Sequence, residues 1–185
     1  MMNRPRTYHG FWMMAGVLSF LTTLSPCSNA GERPSRPNVL WLTCEDISPN
    51  LGCYGDTYAT TPNLDQFARE GVRYTEAVGI CGVCAVNRSC LMTGMYPSTI
   101  GSQDMRSRIR LPDSIVTYSQ MLRQSGYYCT NNSKTDYNFP VPAEAWDACS
   151  GKAHWRNRDP DQPFFAVFNY TGSHESQIWE QKHKQ

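Results

Sequence analysis

The sequence predicts an α/β fold: a mainly parallel, partly mixed sheet flanked by helices. Three observations carry the prediction. Asn38–Thr43 and Phe164–Asn169 are unbroken apolar runs of strand length, the pattern of strands buried on both faces. Two well-punctuated helices, over 61–71 and 84–94, lie between them. Strands and helices alternate along the chain, as layered α/β folds require.

The 185 residues carry a net charge of +1, with no basic stripe of the kind that binds nucleic acid. Residues 1–30 read as an export signal. Arg4 and Arg6 form the positive start, Phe11–Leu24 is mostly apolar, and Ser28-Asn29-Ala30 is a small-residue cleavage site. The apolar run is shorter than the ~20 residues of a membrane span, so no stable span is expected and the protein is placed in the periplasm or outside the cell. Residues 31–36 are a polar linker, and 37–185 form the folded part. Of eight cysteines, Cys27 would leave with the signal. The odd number that remains suits one thiol reserved for chemistry. Cys90 and Cys129 read as small core residues.

The first strand runs into Cys44-Glu45-Asp46. Adjacent carboxylates at the C-terminal end of a buried strand lie where open α/β sheets bind ligands. They read either as a solvated loop or as oxygen ligands for a hard cation. In the first helix Thr61 caps, Pro62 opens, Leu64, Phe67 and Ala68 share a face, and Gly71 stops. Val72–Val78 reads as a strand. Cys84 then stands at a helix start with Arg88 one turn on, and Gly94 ends that helix. The field at a helix N-terminus favours both a reactive thiol-derived group and a bound oxyanion, and Arg88 adds a fork of donors. The same residues also fit a buried Cys and a solvated Arg. Cys81-Gly82-Val83-Cys84 is a Cys-x-x-Cys with no second pair at zinc spacing.

Pro97–Pro112 reads as a loop. Its Arg106, Arg108 and Arg110 read as a solvated cluster or an aid to anion binding. Thr117–Gln120 has the form of a capping box. Tyr127–Thr130 is a strand leading to Asn131-Asn132-Ser133-Lys134-Thr135-Asp136. Phe139–Pro163 is an irregular excursion, within which His154, Trp155 and Arg156 could meet a sugar. The final strand is followed by His174, a residue suited to proton transfer near neutral pH.

Cys84-x-x-x-Arg88 followed by Leu91-x-Thr93-Gly94-x-Tyr96-Pro97 closely resembles the signature of the formylglycine-dependent sulfatases. Thr61-Pro62-Asn63-Leu64-Asp65 and Leu51-Gly52-Cys53-Tyr54-Gly55 resemble further segments of that family. The resemblance implies an alkaline phosphatase/sulfatase-like fold and hydrolysis of sulfate esters of saccharides. It implies oxidation of Cys84, by a formylglycine-generating enzyme, to an aldehyde whose hydrate attacks sulfur. It implies calcium held by Glu45, Asp46 and the modified Cys84, a sulfate grip from Lys134, and a His174 that contacts sulfate and protonates the leaving alcohol. Three positions depart from the pattern: Val86 for a Pro, Glu45 for an Asp, and Asp136 where a His is common. Asn-Ser-Lys-Thr-Asp and Ser-His-Glu-Ser are more similar to bacterial polysaccharide or heparan-type sulfatases than to arylsulfatases.

The resemblance covers 37–176, the N-terminal part of such an enzyme. The family continues with an Asp-Asn or similar pair and a further Lys. The domain is therefore expected to be incomplete at its C-terminus, and the chain inactive alone and poorly soluble. The other readings are a truncated or degenerate non-catalytic sulfatase, and a phosphatase or phosphonate hydrolase of the same superfamily.

Overall fold

A computed structural model describes residues 36–178. The export signal and most of the linker lie outside the described residues. Among those described, a four-stranded sheet has the order β1-β4-β2-β3, with β1 Val39–Cys44, β2 Tyr128–Asn132, β3 Ala148–Cys149 and β4 Phe164–Tyr170. Every pair is parallel. The helices are α1 Pro62–Glu70, α2 Cys84–Thr93, α3 Pro97–Ile100 and α4 Tyr118–Gln124. No helix among these residues is long and apolar enough to cross a membrane.

One face of the sheet carries the core. Phe165 and Val167 of β4 pack with Met92 of α2 and with Cys129, Phe139, Ala145 and Trp146. Trp41 of β1 and Tyr118 of α4 close the layer, with ring centroids 5.9 Å apart and Phe165 5.3 Å from Tyr118. Cys90 and Cys129 are buried, as expected of small core thiols. Burial pushes the Cys129 thiol up to about 12, and the neighbouring Asp147 adds to the shift.

The helix boundaries follow the punctuation. Thr117 accepts from Gln120 N while the Gln120 side chain accepts from Thr117 N, a complete capping box. Gly94 ends α2 at φ 67°, where a side chain would be strained. Pro62 opens α1, but the Thr61 hydroxyl does not cap it; it donates to Asp65 Oδ1 and accepts from Gly52 N.

Four further expectations are corrected. First, β1 is buried on one face only. Val39, Trp41 and Thr43 face the core, whereas Leu40 and Leu42 are 49% and 63% exposed, because β1 is the edge strand. Second, residues 72–78 form no strand; Val72, Tyr74 and Val78 are exposed and pair with none of the sheet's edges. The shared face of Leu64 and Phe67 is likewise exposed. Third, the loop after α2 contains the short helix α3, set by Pro97 at its start and Gly101 at its end. Fourth, the excursion 139–163 is structural: it supplies Phe139, Ala145 and Trp146 to the core, and β3 to the sheet. His154 and Trp155 pack on Phe168.

Candidate active site

The parallel sheet brings the C-terminal ends of β1, β4 and β2 to one edge, and the start of α2 faces them. A cleft there is lined by Glu45, Asp46, Cys81, Cys84, Asn87 and Arg88.

Glu45 is the centre of its charge. The residue is 7% exposed, and a buried carboxylate is costly without cations. Lys134 Nζ donates to its Oε2 at 3.0 Å, and Arg88 lies 3.6 Å from its Oε1. Lys134 comes from the turn after β2 and Arg88 from the second turn of α2, so three elements share this ion cluster.

Arg88 is held on every side. Its Nε donates to Thr135 O at 2.9 Å, a terminal nitrogen donates to Lys134 O and, at 3.0 Å, to Asn169 Oδ1, and the guanidinium lies over the Tyr137 ring. Asn169 is a hub that the sequence reading passed over. Its Oδ1 also accepts from Thr43 Oγ1, while its Nδ2 donates to Asn131 Oδ1 and Asn132 O. Polar residues at the ends of apolar strands were the available signal: Thr43, Asn131 and Asn169 all sit there.

Cys84 is the first residue of α2. Its S–H donates to Asp136 Oδ2 at 3.2 Å, and Lys134 Nζ lies 3.9 Å from the same oxygen. Burial pushes the Cys84 thiol up first, and the hydrogen bond to Asp136 raises it further, against the opposing pull of Lys134. Asp136, which stands where the family commonly has a His, is therefore the direct partner of position 84. Cys81 and Cys84 are both free thiols, as are the other described cysteines.

Asp46 has φ 52° and lies on the exposed side of the cleft, where its Oδ2 accepts from Glu175 N. Ser173 Oγ accepts from Glu45 N, so the segment holding His174 is tied to both acidic residues. His174 Nδ1 accepts from Ser176 N, which leaves Nε2 to carry the proton of the neutral ring. Its hydrogen bonds among the described residues do not reach Cys84, Arg88 or Lys134. Glu45, Asp46 and Cys84 thus share a cleft, but each already has its own partner, and no group of three His, Cys, Asp or Glu side chains converges among the described residues. The donor chemistry fits a hard cation in so far as the carboxylates of Glu45 and Asp46 are oxygen ligands, while the positive helix start beside them favours the oxyanion such a cation would share. Of the three arginines in the loop after α2, none belongs to this cleft lining.

The family description Sulfatase matches residues 37–147. An ulvan-active sulfatase of Formosa agariphila is 47% identical over 159 residues, covering 80% of this chain and 27% of that protein. Human iduronate 2-sulfatase is 32% identical over 125 residues, covering 66% and 23%. A solved structure described as in complex with its substrate D-glucosamine-2-N,6-O-disulfate superposes with a TM-score of 0.60 at 21% identity, over 76% of this chain and 35% of that one. This chain spans about a quarter of the length of these curated relatives. The structural match carries the fold, the sequence matches carry the kinship, and the chain belongs to the sulfatase family.

Proposed function

We propose that this chain provides part of the catalytic centre of an exported sulfuric ester hydrolase acting on sulfated saccharides. The observation that carries this reading is the ion cluster of Glu45, Lys134 and Arg88 at the start of the helix that bears Cys84. Lys134 and the helix N-terminus supply positive potential for a sulfate group. Arg88, bound to the backbone at 134 and 135, fixes the turn that aims Lys134. Asp136 orients whatever group position 84 carries. His174, through Nε2, would hold a sulfate oxygen and return a proton to the departing alcohol. Glu45, Asp46 and residue 84 would hold calcium, which polarises sulfate, and an aldehyde made from Cys84 by a formylglycine-generating enzyme would supply the nucleophile as its hydrate. The saccharide class follows the relatives, one ulvan-active and one solved with a disulfated glucosamine.

A second reading is a non-catalytic member of the family. It is favoured by Val86, which replaces the Pro of the signature, and by a Glu45 carboxylate already neutralised by Lys134 and Arg88.

The test is to co-express the chain with a formylglycine-generating enzyme, purify it with calcium and assay aryl and sugar sulfates. Calcium-dependent turnover lost in both Arg88→Ala and His174→Ala supports hydrolysis. No aldehyde at Cys84 after co-expression, together with sulfated-sugar binding that Arg88→Ala and His174→Ala leave unchanged, supports the second reading.

A further inference from the structure

The loop after α2 places three arginines on the surface under tight control from the interior. Arg106, Arg108 and Arg110 are exposed, while Ile109 and Leu111 between and beyond them pack against the core. Arg106 and Arg108 have φ of 58° and 48°, a conformation that arginine rarely adopts. Asn138 enforces it. This residue is 1% exposed; its Oδ1 accepts from Arg106 N, its Nδ2 donates to Ser102 O and Asp104 O, and its carbonyl accepts from Ile109 N. Asn138 N in turn donates to Ser89 Oγ at 2.9 Å. Ser89 adjoins Arg88, and Asn138 lies two residues beyond Asp136. The arginine loop is thus bolted to both walls of the cleft.

Asp104 and Asp113 flank the loop, yet none of the three guanidinium groups pairs with a carboxylate among the described residues. Like charges repel, and a loop that keeps three unpaired guanidinium groups on the surface in a strained backbone conformation suits an anionic partner. Arg108 and Arg110 also line a surface groove with Leu111, Pro112, Pro140 and Pro142, where two guanidinium groups outweigh the one carboxylate, Asp113. Guanidinium forks beside an apolar floor suit a sugar ring, whose C–H face packs while its sulfates take paired N–H donors.

We propose that Arg106, Arg108 and Arg110 form a second anion-binding strip, gripping further sulfate groups of a polysulfated saccharide chain while one sulfate ester occupies the Cys84 cleft. This rests on the sulfated-saccharide reading of the cleft. The strip then selects polymers over single sugars, because only a chain carrying several anionic units engages both places.

The test uses the whole 185-residue chain and three probes: dextran sulfate, unsulfated dextran and glucose 6-sulfate, titrated at fixed ionic strength. The triple variant Arg106→Gln, Arg108→Gln, Arg110→Gln should bind dextran sulfate about tenfold more weakly, at roughly the combined worth of three exposed ion pairs. Its affinity for glucose 6-sulfate should be unchanged. A control triple variant, Arg69→Gln, Arg73→Gln, Lys152→Gln, removes the same charge elsewhere and should bind dextran sulfate nearly as the parent does. Melting curves check folding, and single Arg→Gln variants replace the triple if it unfolds. Equal weakening by both triple variants overturns the strip, as does undiminished binding by the first. Failure of the parent to bind dextran sulfate also overturns it, while glucose 6-sulfate binding tests the cleft reading separately.

Discussion

The Cys84 thiol donates to Asp136 Oδ2 across 3.2 Å, joining the first residue of α2 to a turn 52 residues later in the chain. A carboxylate at that distance disfavours the thiolate. Burial is the larger cause and acts in the same direction, so the thiol is pushed up from its ordinary value. Alkylation of Cys84 by iodoacetamide should therefore be slow at neutral pH and rise as pH climbs past the ordinary thiol range. Asp136→Asn keeps an acceptor but removes the charge, and should speed alkylation at pH 8 by about threefold to tenfold. Peptide mass spectrometry reads the rate at each cysteine. An unchanged pH profile would show that the carboxylate does not control the thiol.

Val86 is 1% exposed and occupies the third position of α2, where a backbone N–H has no intrahelical acceptor. Proline is tolerated in a first helical turn. Val86→Pro should fold, and on co-expression with a formylglycine-generating enzyme it should raise the aldehyde fraction at Cys84, measured by mass spectrometry. Full conversion with Val86 in place would sink this idea.

Lys134→Met removes the closer of the two cations on Glu45. A buried charged hydrogen bond of this kind is worth about 1.5–3 kcal/mol, so the urea midpoint should fall accordingly. Adding Glu45→Gln should recover part of the loss, because the stranded charge goes with it. Additive losses would mean that Lys134 and Glu45 are not coupled.

Asn169→Ala should cost about 1–3 kcal/mol, since four hydrogen bonds converge on that side chain. Thr43→Val, which removes one of them, should cost less. Denaturant melts of the two variants give the comparison, and equal losses would contradict the assignment of Asn169 as the hub.

Cys129 has a folded-state value of about 12 against an ordinary 9.0. Its contribution to stability is fully present below 9.0 and is lost as pH rises toward 12, because the unfolded chain then releases the proton more readily. Thermal melts across that window should show falling stability, with a shallower slope in Cys129→Ala.

Much of this architecture was legible in the residues. The capping box at Thr117, the stop at Gly94 and the apolar runs of β1 and β4 are local signals, and local physics decides them. The single-sided burial of β1 was not legible, because a run such as Val-Leu-Trp-Leu reads alike whether or not both faces find neighbours. The strand expected over 72–78 failed for the same reason: alternation supplies a face, and only a partner edge makes a strand. In the cleft, Glu45, Cys84, Arg88 and Lys134 were visible as chemistry at spaced positions. The half-buried Asn169 and the buried Asn138 were not, since such an asparagine earns its place through contacts from distant segments.

The strand order has a kinetic corollary. β4 is last in sequence but lies between β1 and β2. The bonds that assemble the cleft span 89 residues from Lys134 to Glu45 and 126 from Thr43 to Asn169. A nascent chain that has emerged only as far as β3 holds β2 beside its partner β3 but leaves β1 with no strand to pair with, and the Asn169 hub of the cleft is still missing. Loops this long close slowly, and intermediates of this kind invite aggregation. The pocket accordingly cannot be completed until β4 has emerged, and helper proteins that shield β1 until then should matter more to its yield than any single contact in the finished structure.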